Sequence, residues 1–155
     1  MKTCCIIGHR NFEKSKELEF KLKTTLINLI ENKNVTTFLF GSKSNFVDFC
    51  YEVLSSLMNS YSNIKRVYVR AEYPVINSDY KSYLLRLYED SYFFSKKATT
   101  NKYSYIKRNQ TMIDSSDFCL FFYSEKYKTK TQSGTQIAYA YAVKKNKKII
   151  NINDI

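Results

Sequence analysis

The placement of glycine restricts this chain more than any other feature. There are three glycines in 155 residues, and each lies just past an apolar run that reads as a β-strand. Gly8 follows residues 3–7, Gly41 follows residues 37–40, and Gly134 sits in Ser133-Gly134-Thr135 after the run 118–123 and a polar loop. Glycine lets a backbone turn sharply or approach a ligand closely, so its restriction to three strand-to-helix junctions points to one site. Ordinary turn and cap glycines are the alternative at any single position.

Around these junctions, strand and helix patterns alternate. Residues 3–7 read as a strand. Residues 13–31 carry Leu18, Leu22, Leu26, Leu29 and Ile30, an apolar stripe at helical spacing. A strand over 35–40 precedes a helix over 45–59, in which Phe46, Phe49, Cys50, Val53, Leu54 and Leu57 recur at three- and four-residue steps. Residues 64–70 form a third strand. Between 71 and 100 the Tyr73-Pro74 pair should bend the chain, and the aromatics that follow fit no single period. A helix over 80–89 is the reading there. Helix 103–113, strand 118–123, helix 134–145 and strand 148–152 complete the chain, with no internal repeat or linker. The whole of residues 1–155 reads as one domain.

This alternation predicts an α/β fold, a doubly wound, mainly parallel five-stranded sheet with helices on both faces, because parallel crossovers return over the sheet. In the order 3-2-1-4-5, the carboxyl ends of the first and fourth strands meet at the topological switch point, where open sheets bind ligands.

Composition sets outer bounds. A 44% hydrophobic content with 16% aromatics excludes disorder. No run approaches the roughly 20 apolar residues of a membrane span, and the apolar start is too short for a signal peptide, so the expected location is cytoplasmic with no membrane partner. Cys4, Cys5, Cys50 and Cys119 lack the paired spacing of zinc or redox sites and read as reduced core residues; no metal and no cofactor is expected.

The net charge of +11, from 25 Lys and Arg against 14 Asp and Glu, favours anionic partners. The lysines are dispersed, in Lys14/Lys16, Lys126/Lys128/Lys130 and Lys144/Lys145/Lys147/Lys148, and no nucleic-acid-reading motif is present. This argues against nucleic acid as a partner and for a small anionic ligand. Ser133-Gly134-Thr135 at a helix start presents unpaired amides and the positive end of the helix dipole, which suit phosphate. Gly41-Ser42-Lys43-Ser44-Asn45 does the same at the second helix. Arg10 can grip phosphate or carboxylate with two donors, beside His9, the one histidine.

Four ordered stretches carry a family resemblance. They are Cys4-Cys5-Ile6-Ile7-Gly8-His9-Arg10; Phe38-Leu39-Phe40-Gly41-Ser42 with Phe46 and Asp48; residues 105–117, which include Arg108 and Asn109; and Ser133-Gly134-Thr135 followed by Tyr139-Ala140. Together they resemble the SLOG superfamily, and within it the YpsA-like branch. The resemblance implies a Rossmann-like domain that binds nucleotides or nucleotide-derived ligands, ADP-ribose relatives among them.

Phosphoribohydrolases of the Lonely Guy type belong to the same superfamily and carry a catalytic glutamate after their Gly-Thr motif. Here the sequence runs Gly134-Thr135-Gln136-Ile137-Ala138, with alanine at that position. Hydrolysis would need another acid; Glu72 and Glu125, in loops after strands, are the remaining candidates.

The expected ligand-binding set is therefore Gly8, His9, Arg10, Gly41, Ser42, Asn45, Phe46, Asp48, Arg108, Asn109, Ser133, Gly134, Thr135 and Tyr139. Asp48 is read as either a ribose contact or a first-turn acid favoured by the helix dipole. Arg108 would take phosphate and Asn109 a base edge. Tyr73, Tyr105 and Tyr139 are candidate stacking platforms among the 14 tyrosines. The expected role is sensing or sequestration of a nucleotide-derived small molecule. The aromatic-rich stretch 80–94 reads as either core or the interface of a homo-oligomer.

Overall fold

The computed structural model describes residues 1–97, 100–127 and 132–155. The first half of the chain runs β1 (Lys2–Gly8), α1 (Lys16–Asn32), β2 (Val35–Phe40), α2 (Asn45–Leu57) and β3 (Lys65–Arg70). The second half runs α3 (Ser78–Leu87), β4 (Asp90–Phe93), α4 (Ser104–Asp114), β5 (Phe118–Phe122), α5 (Gly134–Lys144) and β6 (Lys148–Asn151).

The helix boundaries follow from local chemistry. Ser15, Ser44 and Ser133 each turn a side-chain oxygen onto an amide of the first turn, at Leu18, Val47 and Gln136, every bond at 3.1 Å. Such caps stabilise a helix start by about 1 kcal/mol. At the other end, Asn34 and Asn146 adopt left-handed backbone (φ 59° and 54°) just past α1 and α5, reversing the chain into β2 and β6.

Adjacent strands pair in parallel in the order β4-β3-β2-β1-β5-β6. The sheet thus has six strands and not the expected five. The expected 3-2-1-4-5 order survives inside it, with β4 added at the outer edge. The added strand escaped the pattern reading because Asp90-Ser91-Tyr92-Phe93 is short and half exposed, so burial imposes little apolar period on it. It is pinned by Glu89, whose carboxylate accepts from Arg66 Nη2 at 2.7 Å, Nε at 3.0 Å and the Arg66 amide at 2.8 Å.

Strand alternation divides the core into two layers. Cys4, Ile6, Phe38, Phe40, Leu120 and Phe122 pack with α1 and α2 on one face. Cys5, Ile7, Leu39, Val69, Cys119 and Phe121 pack with Met112 and Ile113 of α4 and with Ala138 and Ala142 of α5 on the other. Cys4 and Cys5 therefore separate to opposite layers, and all four cysteines are free and buried. Within the stretch 80–94, Leu84 is core while Tyr83, Leu85 and Tyr92 are exposed. Among the described residues no helix is long and apolar enough to cross a membrane.

Candidate functional site

The chain runs one way through the sheet from β1 to β4, then returns to place β5 on the other flank of β1. At the carboxyl ends of the strands this reversal leaves a cleft of about 890 Å³, within the size range of small-molecule sites. Its walls include Gly8 at the end of β1 with His9, Arg10 and Asn11 after it, and Gly41, Ser42, Lys43 and Ser44 after β2. They continue with Arg70 at the end of β3 and Ala71, Glu72 and Tyr73 after it, Arg108 and Asn109 of α4, and Ser133, Gly134 and Thr135 at the start of α5. Tyr68, Tyr80, Tyr105 and Tyr127 add aromatic surface.

Two helices begin at this cleft, α2 beyond Ser44 and α5 beyond Ser133. Their leading amides have no partner four residues back within the helix, so each start carries partial positive charge. To this the walls add Arg10, Lys43, Arg70 and Arg108 against, among the described residues, a single carboxylate, Glu72. Glu72 accepts the hydroxyl hydrogen of Tyr105.

Arg108 is the deepest of these cations, with 4% of its surface exposed. It donates from Nη1 to the Gly41 carbonyl and from Nε to Asn109 Oδ1 at 3.1 Å. Both acceptors are uncharged, and among the described residues no carboxylate lies within ion-pair distance of it. Burial pulls its pKa down to about 10, and the partly opposing charge of Glu72, beyond ion-pair distance, does not restore it. Arg70, also buried, donates to Tyr73 O at 3.1 Å and Ser91 Oγ at 3.0 Å. Burial lowers its pKa as well.

His9 is buried, and its Nε2 accepts the Ser124 amide at 3.1 Å. That bond requires Nε2 unprotonated and fixes the proton of the neutral ring on Nδ1. Burial lowers its pKa, so the ring is neutral near pH 7. His9 thus tethers the loop after β5 to the end of β1 and adds no charge to the cleft.

The three glycines meet at this cleft, but only one faces open space. A Cβ on Gly8 would overlap the Phe46 ring. A Cβ on Gly41 would lie 2.6 Å from Met112 Sδ, and 2.7 and 2.8 Å from Arg108 Cδ and Nε. These two glycines allow close packing behind the wall, and no glycine has positive φ. Around Gly134 no atom of the described residues lies within 4 Å of the missing Cβ.

Of the residues picked from the sequence, Gly8, His9, Arg10, Gly41, Ser42, Arg108, Asn109, Ser133, Gly134 and Thr135 line the cleft. Asn45, Phe46, Asp48 and Tyr139 do not. Phe46 is 1% exposed and packs against Phe12 and Phe122 beneath Gly8, so its place is the core. Asn45 and Asp48 are exposed on the first turn of α2. There the Asp48 carboxylate meets the positive end of the helix. Tyr139 stacks on Tyr123, ring centres 4.5 Å apart, and sets its edge on Phe121, away from the cleft.

Ala138, where hydrolases of the superfamily carry glutamate, is buried in the layer under α4 and α5. Of the two remaining acids, Glu72 is on the wall and Glu125 is not. Lys128 and Lys130 lie outside the described residues.

Sequence reasoning missed Arg70, Tyr68, Tyr80 and Tyr127. Arg70 had a signal: a cation closing an apolar strand, at the end where this topology gathers its loops.

The family model described as the YspA SLOG family (YpsA) matches residues 4–154, and no curated protein matches. Solved structures that share the fold include two DNA processing proteins. One is DNA processing protein A (DprA) from Streptococcus pneumoniae, with TM-score 0.59 and 14% identity, covering 96% of this chain and 49% of that one. The other is DNA processing protein A from Helicobacter pylori, described for its single-stranded DNA binding mode, with TM-score 0.59 and 16% identity, covering 96% of this chain and 63% of that one. This chain therefore spans about half of one and less than two thirds of the other. A single-stranded DNA binding mode among proteins of this fold overturns the expectation that excluded nucleic acid. That expectation rested on the lack of a linear basic motif, whereas this topology collects cations from separate loops. The chain belongs to the YspA SLOG family.

Proposed function

We propose that the cleft binds a nucleotide-class ligand, with its phosphates seated between the starts of α2 and α5 and the cations Arg10, Lys43 and Arg108. One observation carries this reading: Arg108 is buried beside neutral acceptors only. A buried charge with no carboxylate at ion-pair distance costs stability, and Glu72, which acts on it only from farther off, leaves room for an anionic ligand to supply a close partner. Asn109, at the same wall, is placed to contact a base or ribose. The role is capture, for sensing or sequestration, without turnover; the buried Ala138 at the glutamate position supports this over hydrolysis.

A second reading, that the phosphates belong to a DNA single strand, is favoured by the likeness to the Helicobacter pylori protein and by the +11 net charge. Titration calorimetry with ADP, and with oligo-dT in the presence and absence of ADP, tests both. Binding of ADP that is recovered intact, and that competes with oligo-dT, supports the small-ligand reading. Oligo-dT binding that ADP leaves untouched and that weakens steeply with salt supports the strand. Absence of ADP binding rejects the first reading.

A further inference from the structure

Beside the cleft lies a second, more open hollow of about 550 Å³. The two share one partition, since Glu72, Tyr73 and Tyr105 line both. Their chemistry differs. The cleft is strongly cationic, whereas among the described residues the hollow is lined by no basic side chain and offers Pro74, Val75, Asn101 and Ser104 beside the two tyrosines and Glu72.

The partition is built and braced. The Arg108 guanidinium lies over the Tyr105 ring, 5.5 Å from its centre, and the Tyr105 hydroxyl donates to Glu72. Tyr105 is nevertheless 50% exposed. Tyr73 has φ 58° directly before Pro74, a conformation that costs about 1–3 kcal/mol for a non-glycine residue. Its carbonyl is held by Arg70 Nε at 3.1 Å. Strained backbone persists where its surroundings over-determine it, and here it sets an exposed aromatic side chain at the border of two hollows.

We propose that the hollow is a second subsite, for a planar ring joined through phosphate to the part held in the cleft. The ligand class is then a two-ring nucleotide, either a free dinucleoside polyphosphate or the terminal two nucleotides of a single strand, with the second ring stacked on Tyr105 or Tyr73. Phosphate stays with the cations, and the ring takes the side without them. This inference rests on the cleft holding phosphate.

Binding of three probes to the full chain tests it: ADP, diadenosine diphosphate and the dinucleotide pdApdA. At least one two-ring probe should bind about tenfold more tightly than ADP, the gain from stacking one further base. A preference for diadenosine diphosphate identifies the free ligand, and one for pdApdA the strand end. Tyr105→Ala should reduce the two-ring to one-ring affinity ratio to about one, while Tyr105→Phe, which keeps the ring, should preserve it. ADP binding with no gain from either two-ring probe overturns the subsite and leaves the cleft reading standing. A ratio unchanged in Tyr105→Ala also overturns it. Failure of all three probes to bind overturns both.

Discussion

Arg108 reaches from α4 to donate its Nη1 hydrogen to the carbonyl of Gly41, 67 positions earlier in the chain. The bond is possible because residue 41 has no side chain to occupy the space taken by the guanidinium stem. It couples the loop after β2 to the helix that returns the chain toward β5. A single contact thereby closes the floor of the cleft and positions its deepest charge.

Substitution at the three glycines should separate packing from access. Gly41→Ala pushes a methyl group into Arg108 and Met112, and Gly8→Ala pushes one into Phe46. Each should lower unfolding free energy by about 1–3 kcal/mol in urea titration. Gly134→Ala adds a methyl group in open space at a helix start and should stay within about 0.5 kcal/mol of the unmodified chain. Equal stability of Gly41→Ala would remove the packing role assigned to that position.

Arg10 is exposed and lines the cleft. Arg10→Ala should leave the melting temperature unchanged and weaken ADP by about ten- to a hundredfold, the range for a charge-assisted hydrogen bond. Calorimetry measures the affinity, and an unchanged value would take Arg10 out of the site.

The single histidine gives an acid-side signature. Its folded pKa is held below the ordinary 6.5 by burial, so below that pH the unfolded chain binds more protons than the folded one. Stability contributed by neutral His9 should therefore be lost as pH falls from 6.5 toward the folded value. Melting curves at about pH 7.5 and about pH 5.5 should show a drop that is smaller in His9→Gln, which cannot titrate. Equal drops would show that His9 is not responsible.

The edge strand depends on Glu89. Burial raises the carboxyl pKa, but the three bonds from Arg66 outweigh it and bring the net value below the ordinary range. Its contribution is present above the unfolded carboxyl pKa and fades as pH falls through the folded one. Glu89→Gln should cost about 1 kcal/mol, discounted for partial exposure. Faster amide exchange at residues 90–93 should mark the loosened edge; unchanged exchange would dissociate Glu89 from β4.

The sequence patterns located the parts of the fold whose burial is one-sided or complete. Leu22, Leu26 and Leu29 of α1, and the apolar run of β5, are buried as their spacing requires. The edge strand was hidden because Asp90 and Tyr92 face solvent and carry no such constraint. At the site, the glycines marked the right loops, yet for a reason only coordinates supply. Gly8 and Gly41 make room for Phe46 and Arg108, side chains distant in sequence. Tyr139 was chosen for its nearness to Thr135 in the chain, but one turn of helix carries it onto Tyr123 instead. Arg70 and Tyr80 reach the cleft through the pairing of β3 and the bend at Tyr73-Pro74, neither of which has a local period.

Amide chemical-shift mapping while ADP is added to the isotope-labelled protein tests the central claim most directly. The largest saturable shifts should fall on Gly8, His9, Arg10, Ser42, Lys43, Gly134 and Thr135, whose backbones border the cationic cleft. Saturable shifts centred on another face, or spectra that ADP leaves unchanged, would contradict the account.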